Sequence, residues 1–427
     1  MGFCLSSYPD SVRFLYALGN ETRAVKFGLE RVSTLLDHLG SPHRACRFVH
    51  VAGTNGKGSV CALVESALRA AGLRTGLFTS PHLVEPTERI RICGDPVSPE
   101  RFAGAFVTVH AQAERLLAQG RLDAHPTYFE MVTAMAFLLF RELAAETVVL
   151  EVGLGGRLDA TNVVSPQLTV ITPIDYDHEG HLGTALETIA GEKAGIIKPG
   201  VPLVTGPQRP EVQALLEARA KAAGAPVTRW SRHTAEDLLL TPRGSRFTIA
   251  GPPRLRIECP LAGEHQVANA LTAVAALELL PAPPAAIEEG VRTTRWPARL
   301  ECVSEEPEII LDGAHNPAGA RVLADHIRRF YSGRRVRLVF GAMRDKALAE
   351  MAGILFPLAE EVILTAPDHP RAVRPELIHG LADHPKVRLA PSLPAAIQSL
   401  REPPPGDVAF VTGSLYLAGA ARAMLVQ

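Results

Sequence analysis

The chain has 427 residues, 47% hydrophobic and 21% charged, with 44 Lys+Arg against 45 Asp+Glu and a formal net charge of −1. That balance excludes a largely disordered chain, and it excludes a global basic field of the kind that holds nucleic acid or an anionic membrane. No uncharged apolar run reaches the ~20 residues of a membrane span, and at roughly 150 residues per domain two or three domains are expected.

The start, MGFCLS, matches the acylation pattern Met-Gly-x-x-x-Ser, but no polybasic stretch follows and no apolar signal core is present, so neither lipidation nor secretion is expected. Apolar runs at 47–52, 75–78, 147–152, 168–172 and 202–205 read as strands. Helix-period stretches at 59–71, 128–143 and 210–223 lie between them, and the alternation predicts a mainly parallel sheet covered on both faces. Around 280–298 the composition shifts: 280–286 reads LPAPPAA and another proline follows at Pro297, which suits an exposed linker. The strand–helix rhythm then restarts, with strands expected at 309–311, 336–340, 361–365, 387–389 and 408–411 and helices at 317–330 and 392–400. The division expected is a domain over 1–290, a linker over 291–300 and a smaller domain over 301–427, with the working site in the cleft between the two. Six cysteines, Cys4, Cys46, Cys61, Cys93, Cys259 and Cys302, form no CxxC pair, as expected of free thiols in a reducing cytoplasm. Only 7 of the 44 basic residues are lysine, so each lysine within a motif stands out.

Residues 47–60 read RFVHVAGTNGKGSV: a β-branched run, the loop Gly53-Thr-Asn-Gly-Lys-Gly-Ser59, then an apolar-periodic helix. Glycines allow the backbone to wrap phosphate oxygens, and the helix N-terminus adds N–H groups and partial positive charge. Lys57 can reach β/γ phosphates and the Ser59 hydroxyl can ligate Mg²⁺; the bland alternative is a glycine turn between strand and helix. Gly58 separates Lys57 from Ser59, a departure from GxxxxGK[ST] that argues against common GTPases and motor ATPases. Gly153-Leu-Gly-Gly156 lacks the third glycine of a dinucleotide fingerprint, which disfavours an NAD oxidoreductase. HEGH at 178–181 is not HExxH, so zinc-protease chemistry is not expected.

The loop form resembles that of the Mur-ligase superfamily, and further motifs resemble the folylpolyglutamate synthase and dihydrofolate synthase family. They are FTSPHLVEPTERIRI at 78–92, TYFE at 127–130, LEVGLGGRLDATNVV at 150–164, DHEGHLG at 177–183, GEKAGIIKPG at 191–200, DGAHNP at 312–317 and TGSLY at 412–416. The resemblance runs from about Phe27 to Ser414 and implies an α/β fold: an N-terminal P-loop ATPase-type domain with a mainly parallel sheet, plus a smaller C-terminal Rossmann-like domain. It implies Thr54, Asn55, Gly56, Lys57, Gly58, Ser59, Asn269, Arg299 and Asp312 at ATP, and Ser59, Ser80, Glu151 and His178 at Mg²⁺. It also implies that Lys193 is carbamylated and serves the metal. For the pterin it implies Phe27, Leu158, Asp159 and Ala160. Phe129 and Tyr128 stand between pocket and core, because aromatics that open an apolar helix are often core. His315 and Ser414 are implied at glutamate, with Lys57, Lys193, His315 and Asp312 carrying catalysis. Read alone, Glu151 can equally be a solvated strand-end acid, Asn162 can pair with Asp159 in a simple loop, and Lys193 can be an exposed helix lysine.

The activity implied is ATP-dependent amide formation between a pterin-bearing carboxylate (a folate, dihydropteroate or both) and the amine of L-glutamate, through an acyl phosphate. A monomeric cytoplasmic enzyme acting on small molecules, with no nucleic-acid or membrane partner, is expected. The alternative is another Mur-type amide ligase of cell-wall precursor synthesis, which shares the loop but is disfavoured by the TSPHL, GGRLDATN and DGAHNP motifs.

Overall fold

The computed structural model describes residues 7–19, 28–344, 346–381, 383–401 and 406–426, so Phe27 lies outside the described residues. The chain divides into two compact units, one of residues 1–174, 182–233 and 271–290, the other of 175–181, 234–270 and 291–427.

The first unit is built on an eight-stranded sheet. Its strands are β1 (Arg47–Ala52), β2 (Thr75–Phe78), β3 (Ile90–Ile92), β4 (Asp95–Pro96), β5 (Thr147–Glu151), β6 (Leu168–Ile171), β7 (Leu203–Thr205) and β8 (Val227–Arg229), in the order β4-β3-β2-β5-β1-β6-β7-β8. From β2 to β8 the pairings are parallel, while β3 and β4 add an antiparallel hairpin at one edge. Every residue of β5 and of 48–52 in β1 is buried, which is why parallel strands read as continuous apolar runs. One core gathers Phe48, Phe78, Phe102, Phe106, Phe137 and Phe140; another gathers Ala52, Val152, Ile171, Ile189, Leu203 and Leu216. The helix Tyr128–Glu142 is capped reciprocally by Thr127 and Glu130 and is buried around nearly its whole circumference, consistent with its unbroken apolar run.

The second unit holds two sheets. Strands β9 (Ala235–Thr241), β10 (Gly244–Ile249) and β11 (Leu255–Cys259) form an antiparallel sheet. Strands β12 (Glu301–Glu305), β13 (Glu308–Leu311), β14 (Val336–Phe340), β15 (Glu361–Leu364), β16 (Val387–Leu389) and β17 (Val408–Thr412) form the other, in the order β12-β13-β17-β14-β15-β16. Only β12 is antiparallel there. The α/β class and both parallel sheets agree with the sequence reading. The antiparallel sheet at 235–259 was not expected from the sequence, because β9 is mostly exposed and its three consecutive leucines, Leu238, Leu239 and Leu240, do not alternate with polar residues. Its readable signal is in β11, where Leu255, Ile257 and Cys259 are buried and alternate with exposed Arg256 and Glu258.

Residues 175–181 and 234–270 belong to the second unit although they precede position 290, and no composition shift marks those excursions. The proline-rich stretch is also not all linker: the helix Pro284–Thr293 occupies it, with Pro284 at its first position and Ala286 and Ile287 buried. Proline tolerated at a helix start is the local reason the composition misleads. Among the described residues no helix is long and apolar enough to cross a membrane, and Cys46, Cys61, Cys93, Cys259 and Cys302 are free thiols.

Within the first unit Gly290 packs on the helix Lys57–Ala70, where a Cβ would fall 2.2 Å from the Cα of Ala67 and 2.4 Å from its nitrogen. Both are backbone atoms that cannot swing aside. Gly290→Ala is therefore expected to destabilise the protein by about 1–3 kcal/mol, measured as a lower midpoint in urea at unchanged slope.

Candidate active site

The glycine loop follows β1, the strand held between β5 and β6. From β1 the chain goes to β2 on one side, while β6 lies on the other, so the loop stands at a reversal of strand order, where doubly wound sheets bind ligands. Gly53 has φ +147°, and a Cβ there would lie 1.9 Å from Thr172 Oγ1. Gly56, at φ +82°, caps the helix Lys57–Ala70. The first intrahelical bond runs from the Val60 N–H to the Gly56 carbonyl, so the amides of Lys57, Gly58 and Ser59 precede the helix's own ladder. The amides of Thr54 and Asn55 point elsewhere, both donating to the Pro173 carbonyl at 2.9 and 3.2 Å.

Lys57, Glu151 and Lys193 meet at this loop. Lys57 Nζ donates to the Thr54 carbonyl at 3.1 Å and lies 4.0 Å from Glu151 Oε1. Glu151, at the end of β5, is only 4% exposed, and its other oxygen accepts the Ser80 N–H at 3.1 Å. It is therefore not a solvated strand-end acid. Lys193, on the helix Leu186–Ala194, is 5% exposed and donates to the Gly53 carbonyl at 2.9 Å. The loop thus faces two lysines and a carboxylate, with the Ser59 side chain buried in the first helical turn.

The residues assigned to the pterin are partly structural here. Asp159 accepts from the Leu154 N–H at 2.8 Å, from the Thr161 N–H at 3.0 Å and from the Thr161 hydroxyl. The Asn162 side chain does not pair with it; its amide donates to the carbonyls of Arg157 and Gly195. Thr161 also meets His50 Nε2 at 2.9 Å, and burial pushes that imidazole down to about 3. Ala160 is buried and Leu158 half-buried. Tyr128 belongs to the core, stacked on Tyr16, whereas half-buried Phe129 covers Gly153, where a Cβ would lie 2.4 Å from its ring.

In the second unit Asp312 follows β13 and Ser414 follows its parallel neighbour β17, so both stand at the carboxyl edge of that sheet. Asp312 accepts the N–H groups of Leu300 and Ala314 at 3.0 and 2.9 Å; burial raises its pKa, with nearby Arg299 opposing the shift. Arg299 donates to the Ala298 carbonyl. Ser414 caps the helix Leu415–Leu425 by accepting the Leu417 N–H at 3.0 Å, and Asn316 caps Pro317–Tyr331 through Gly319. Asn269 is buried, its amide donating to Gln266.

His178 and His315 lie with Asp177. His315 holds the Gly313 carbonyl through Nδ1 at 2.8 Å, and its Nε2 is 3.6 Å from Asp177 Oδ2; His178 Nε2 is 3.9 Å from the same oxygen. Asn316 donates to that oxygen at 3.2 Å, and Lys346 Nζ donates to Oδ1 at 2.6 Å. Burial alone would raise the Asp177 carboxyl, but His315, Lys346 and His178 hold it well below the ordinary carboxylate range. Lys346 and Asn316 were missed by the sequence reading. Asn316 lies inside the quoted DGAHNP motif, and the only signal for Lys346 was the scarcity of lysine.

Comparison with known proteins bears on the whole chain. The model of the Mur ligase middle domain matches residues 51–277, and that of the Mur ligase glutamate ligase domain matches 298–415. Folylpolyglutamate synthase of Lacticaseibacillus casei is 36% identical over 431 residues, covering 98% of this chain and 99% of that protein. Dihydrofolate synthase/folylpolyglutamate synthase of Bacillus subtilis is 36% identical over 435 residues, covering 98% and 99%. The solved structure of Mycobacterium tuberculosis folylpolyglutamate synthase complexed with ADP and AMPPCP matches with a TM-score of 0.91 at 34% identity, over 99% of each chain.

Lys346 and Asp177 are a nearly sealed pair, with side chains 7% and 8% exposed. Lys346→Met leaves the carboxylate without its closest cation and is expected to cost about 3–5 kcal/mol in urea melts at pH 7. Because the folded pKa of Asp177 is depressed, its stabilisation is present above the unfolded value of about 3.9 and is lost as pH falls below it. Asp177→Asn should accordingly flatten the acid limb of the stability curve.

Proposed function

The chain belongs to the Mur ligase family, in the branch of folylpolyglutamate and dihydrofolate synthases, and we propose that it joins L-glutamate to a pterin-bearing carboxylate using ATP. The observation that carries this reading is the convergence of Lys57, Glu151 and Lys193 on one glycine loop, in a chain that aligns end to end with such synthases. The folate reading is favoured over a cell-wall ligase because the full-length relatives are folate enzymes.

ATP is the substrate whose phosphates the loop would take. The amides of Lys57, Gly58 and Ser59 precede the ladder of a helix start, and the Mycobacterium tuberculosis complex with ADP and AMPPCP supports nucleotide binding. Thr54, Asn55 and Gly56 frame that loop. Asn269, Arg299 and Asp312 are the further nucleotide contacts we assign by resemblance. The hydroxyls of Ser59 and Ser80 and the Glu151 carboxylate are hard oxygen donors and fit Mg²⁺. His178 fits it less well, being a nitrogen donor already facing Asp177. Bound by these groups, the ion would offset charge on the transferring phosphates.

The acceptor's carboxylate attacks the γ-phosphorus; a P–O bond forms, the bond to the β-phosphate oxygen breaks, and ADP leaves an acyl phosphate. Lys57, on the loop itself, supplies positive charge to the β and γ oxygens as that negative charge shifts. The amine of glutamate then attacks the acyl carbon, losing a proton as inorganic phosphate departs. His315 and Ser414 are the glutamate contacts in this proposal, supported by two helix starts at neighbouring strand ends. Leu158, Asp159, Ala160 and Phe129 border the pterin, with Asp159 chiefly holding the turn that presents them. Burial of Lys193 beside Gly53 supports its carbamate role. There the neutral amine adds to CO₂, an N–C bond forms and one proton is released, giving two hard oxygens at the loop. The enzyme acts in the cytoplasm as a monomer on small molecules.

Purified protein with ATP, Mg²⁺ and glutamate should release phosphate and form an amide with dihydropteroate, tetrahydrofolate or both; phosphate release indifferent to acceptor and glutamate would overturn the reading. Lys57→Ala should keep its fold but lose about 3–4 kcal/mol of transition-state stabilisation, at least ~10²-fold in kcat. Lys193→Ala should lose turnover and regain part of it with short carboxylic acids, whereas full activity in that variant would refute the carbamate.

A further inference from the structure

Away from the glycine loop, three side chains meet where the helix Pro99–Ala118 is followed by the segment leading to the helix Tyr128–Glu142. His110 and Glu114 are four residues apart on the first helix and so share one face. His125 returns to that face from the connecting segment, its Nε2 3.6 Å from Glu114 Oε1. One ligand atom from each of the three lies within 4.8 Å of the other two, and no other trio of His, Cys, Asp or Glu among the described residues does this.

The tautomer of the neutral His125 ring is set by its surroundings. Its Nδ1 is 2.8 Å from the Pro126 carbonyl, which can only accept, so the proton sits on Nδ1 and Nε2 keeps its lone pair. That Nε2 is buried without a hydrogen-bond partner among the described residues, and so is His110 Nδ1. Buried polar nitrogens normally find partners. Two imidazoles that each keep an unpartnered nitrogen, grouped with one carboxylate, are an arrangement that a cation completes. An apolar wall orients the rings: Phe14 meets His110 edge-on with centroids 4.5 Å apart, and Phe106 stacks on it at 5.4 Å.

We infer that His110, Glu114 and His125 form a binding site for a borderline transition-metal ion, of which Zn²⁺ is the fitting case. Two imidazoles and a carboxylate match the donor set of three-ligand zinc sites with a water in fourth place, whereas Mg²⁺ seeks oxygen. Donors around tetrahedral zinc stand about 3.3 Å apart, given metal–ligand distances near 2.0–2.1 Å. The largest separation here must therefore shrink, and the exposed Glu114 side chain is the one free to swing inward. The three donors come from the helix and from the segment that follows it, so the ion would tie residues 119–127 to the preceding helix. That segment ends at Thr127, the cap of the helix that carries Phe129.

The test is calorimetric titration of chelator-treated full-length protein with Zn²⁺ in the presence of excess Mg²⁺. One tight equivalent is expected, with a raised melting temperature, and Co²⁺ in its place should give a visible absorption band of an imidazole-bound ion. Glu114→Gln lies on the surface and should fold normally; it and His125→Gln should each weaken Zn²⁺ by at least the ~10–100-fold that even outer-shell changes cost. Absence of a tight equivalent would overturn the site. So would an equivalent whose affinity is the same in both variants, because the ion would then sit elsewhere.

Discussion

Glu151 is a carboxylate sealed at the end of a parallel strand, and a group so placed has to be met by donors, since a buried acid without partners costs several kcal/mol. What meets it organises the first unit's chemistry. The Ser80 N–H takes one oxygen and Lys57 approaches the other, so the ends of β2 and β5 and the start of the helix after β1 are referred to one side chain. Gly53 then permits the backbone to pass against Thr172, and its carbonyl receives Lys193. Positive charge gathers at the glycine loop because the strand ends leave a carboxylate there to balance it.

Asp177 and Asp312 show that burial alone does not set the charge of an acid. Both are largely hidden, yet their pKa values move in opposite directions. Asp312 is held by two backbone amides, with Arg299 engaged on a carbonyl, and desolvation prevails. Asp177 has His315 at 3.6 Å, a lysine at 2.6 Å and His178 at 3.9 Å, and the hydrogen bonding and attraction of these groups, His315 first, prevail over desolvation. The same unit therefore holds one carboxyl whose ionisation burial opposes and one whose ionisation its neighbours favour.

The sequence was most legible where chain geometry is local. Strands 47–52 and 147–151 are readable because both faces of each are buried, and the glycine loop is readable because strand, glycines, lysine and hydroxyl are contiguous. Lys193 was ambiguous, since nothing nearby in sequence tells a solvent-facing helix position from one aimed at residue 53. Lys346 was illegible, because its partner Asp177 is 169 residues away and only the fold brings them together. Asp159 carried a ligand role by resemblance, while its hydrogen bonds to Leu154 and Thr161 are those of a turn organiser. The exposed strand Ala235–Thr241 was missed for the opposite reason, having too little burial to leave a pattern.

The division of the chain into interleaved segments bears on how the protein is made. The first unit needs residues 271–290, and the second needs 175–181 and 234–270 as well as everything after 290. Translation at roughly 5–20 residues per second favours domains that are finished in order, each released before the next begins. Here the ribosome delivers part of the second unit while the first still lacks its last helix. Residues 175–181 then wait for more than a hundred residues before β13 and the helix Pro317–Tyr331 emerge, and throughout that interval Asp177 has neither Lys346 nor His315 for company. Nascent chains of this protein are therefore expected to pass through a long stage in which an acid of the future core is still an ordinary solvated one.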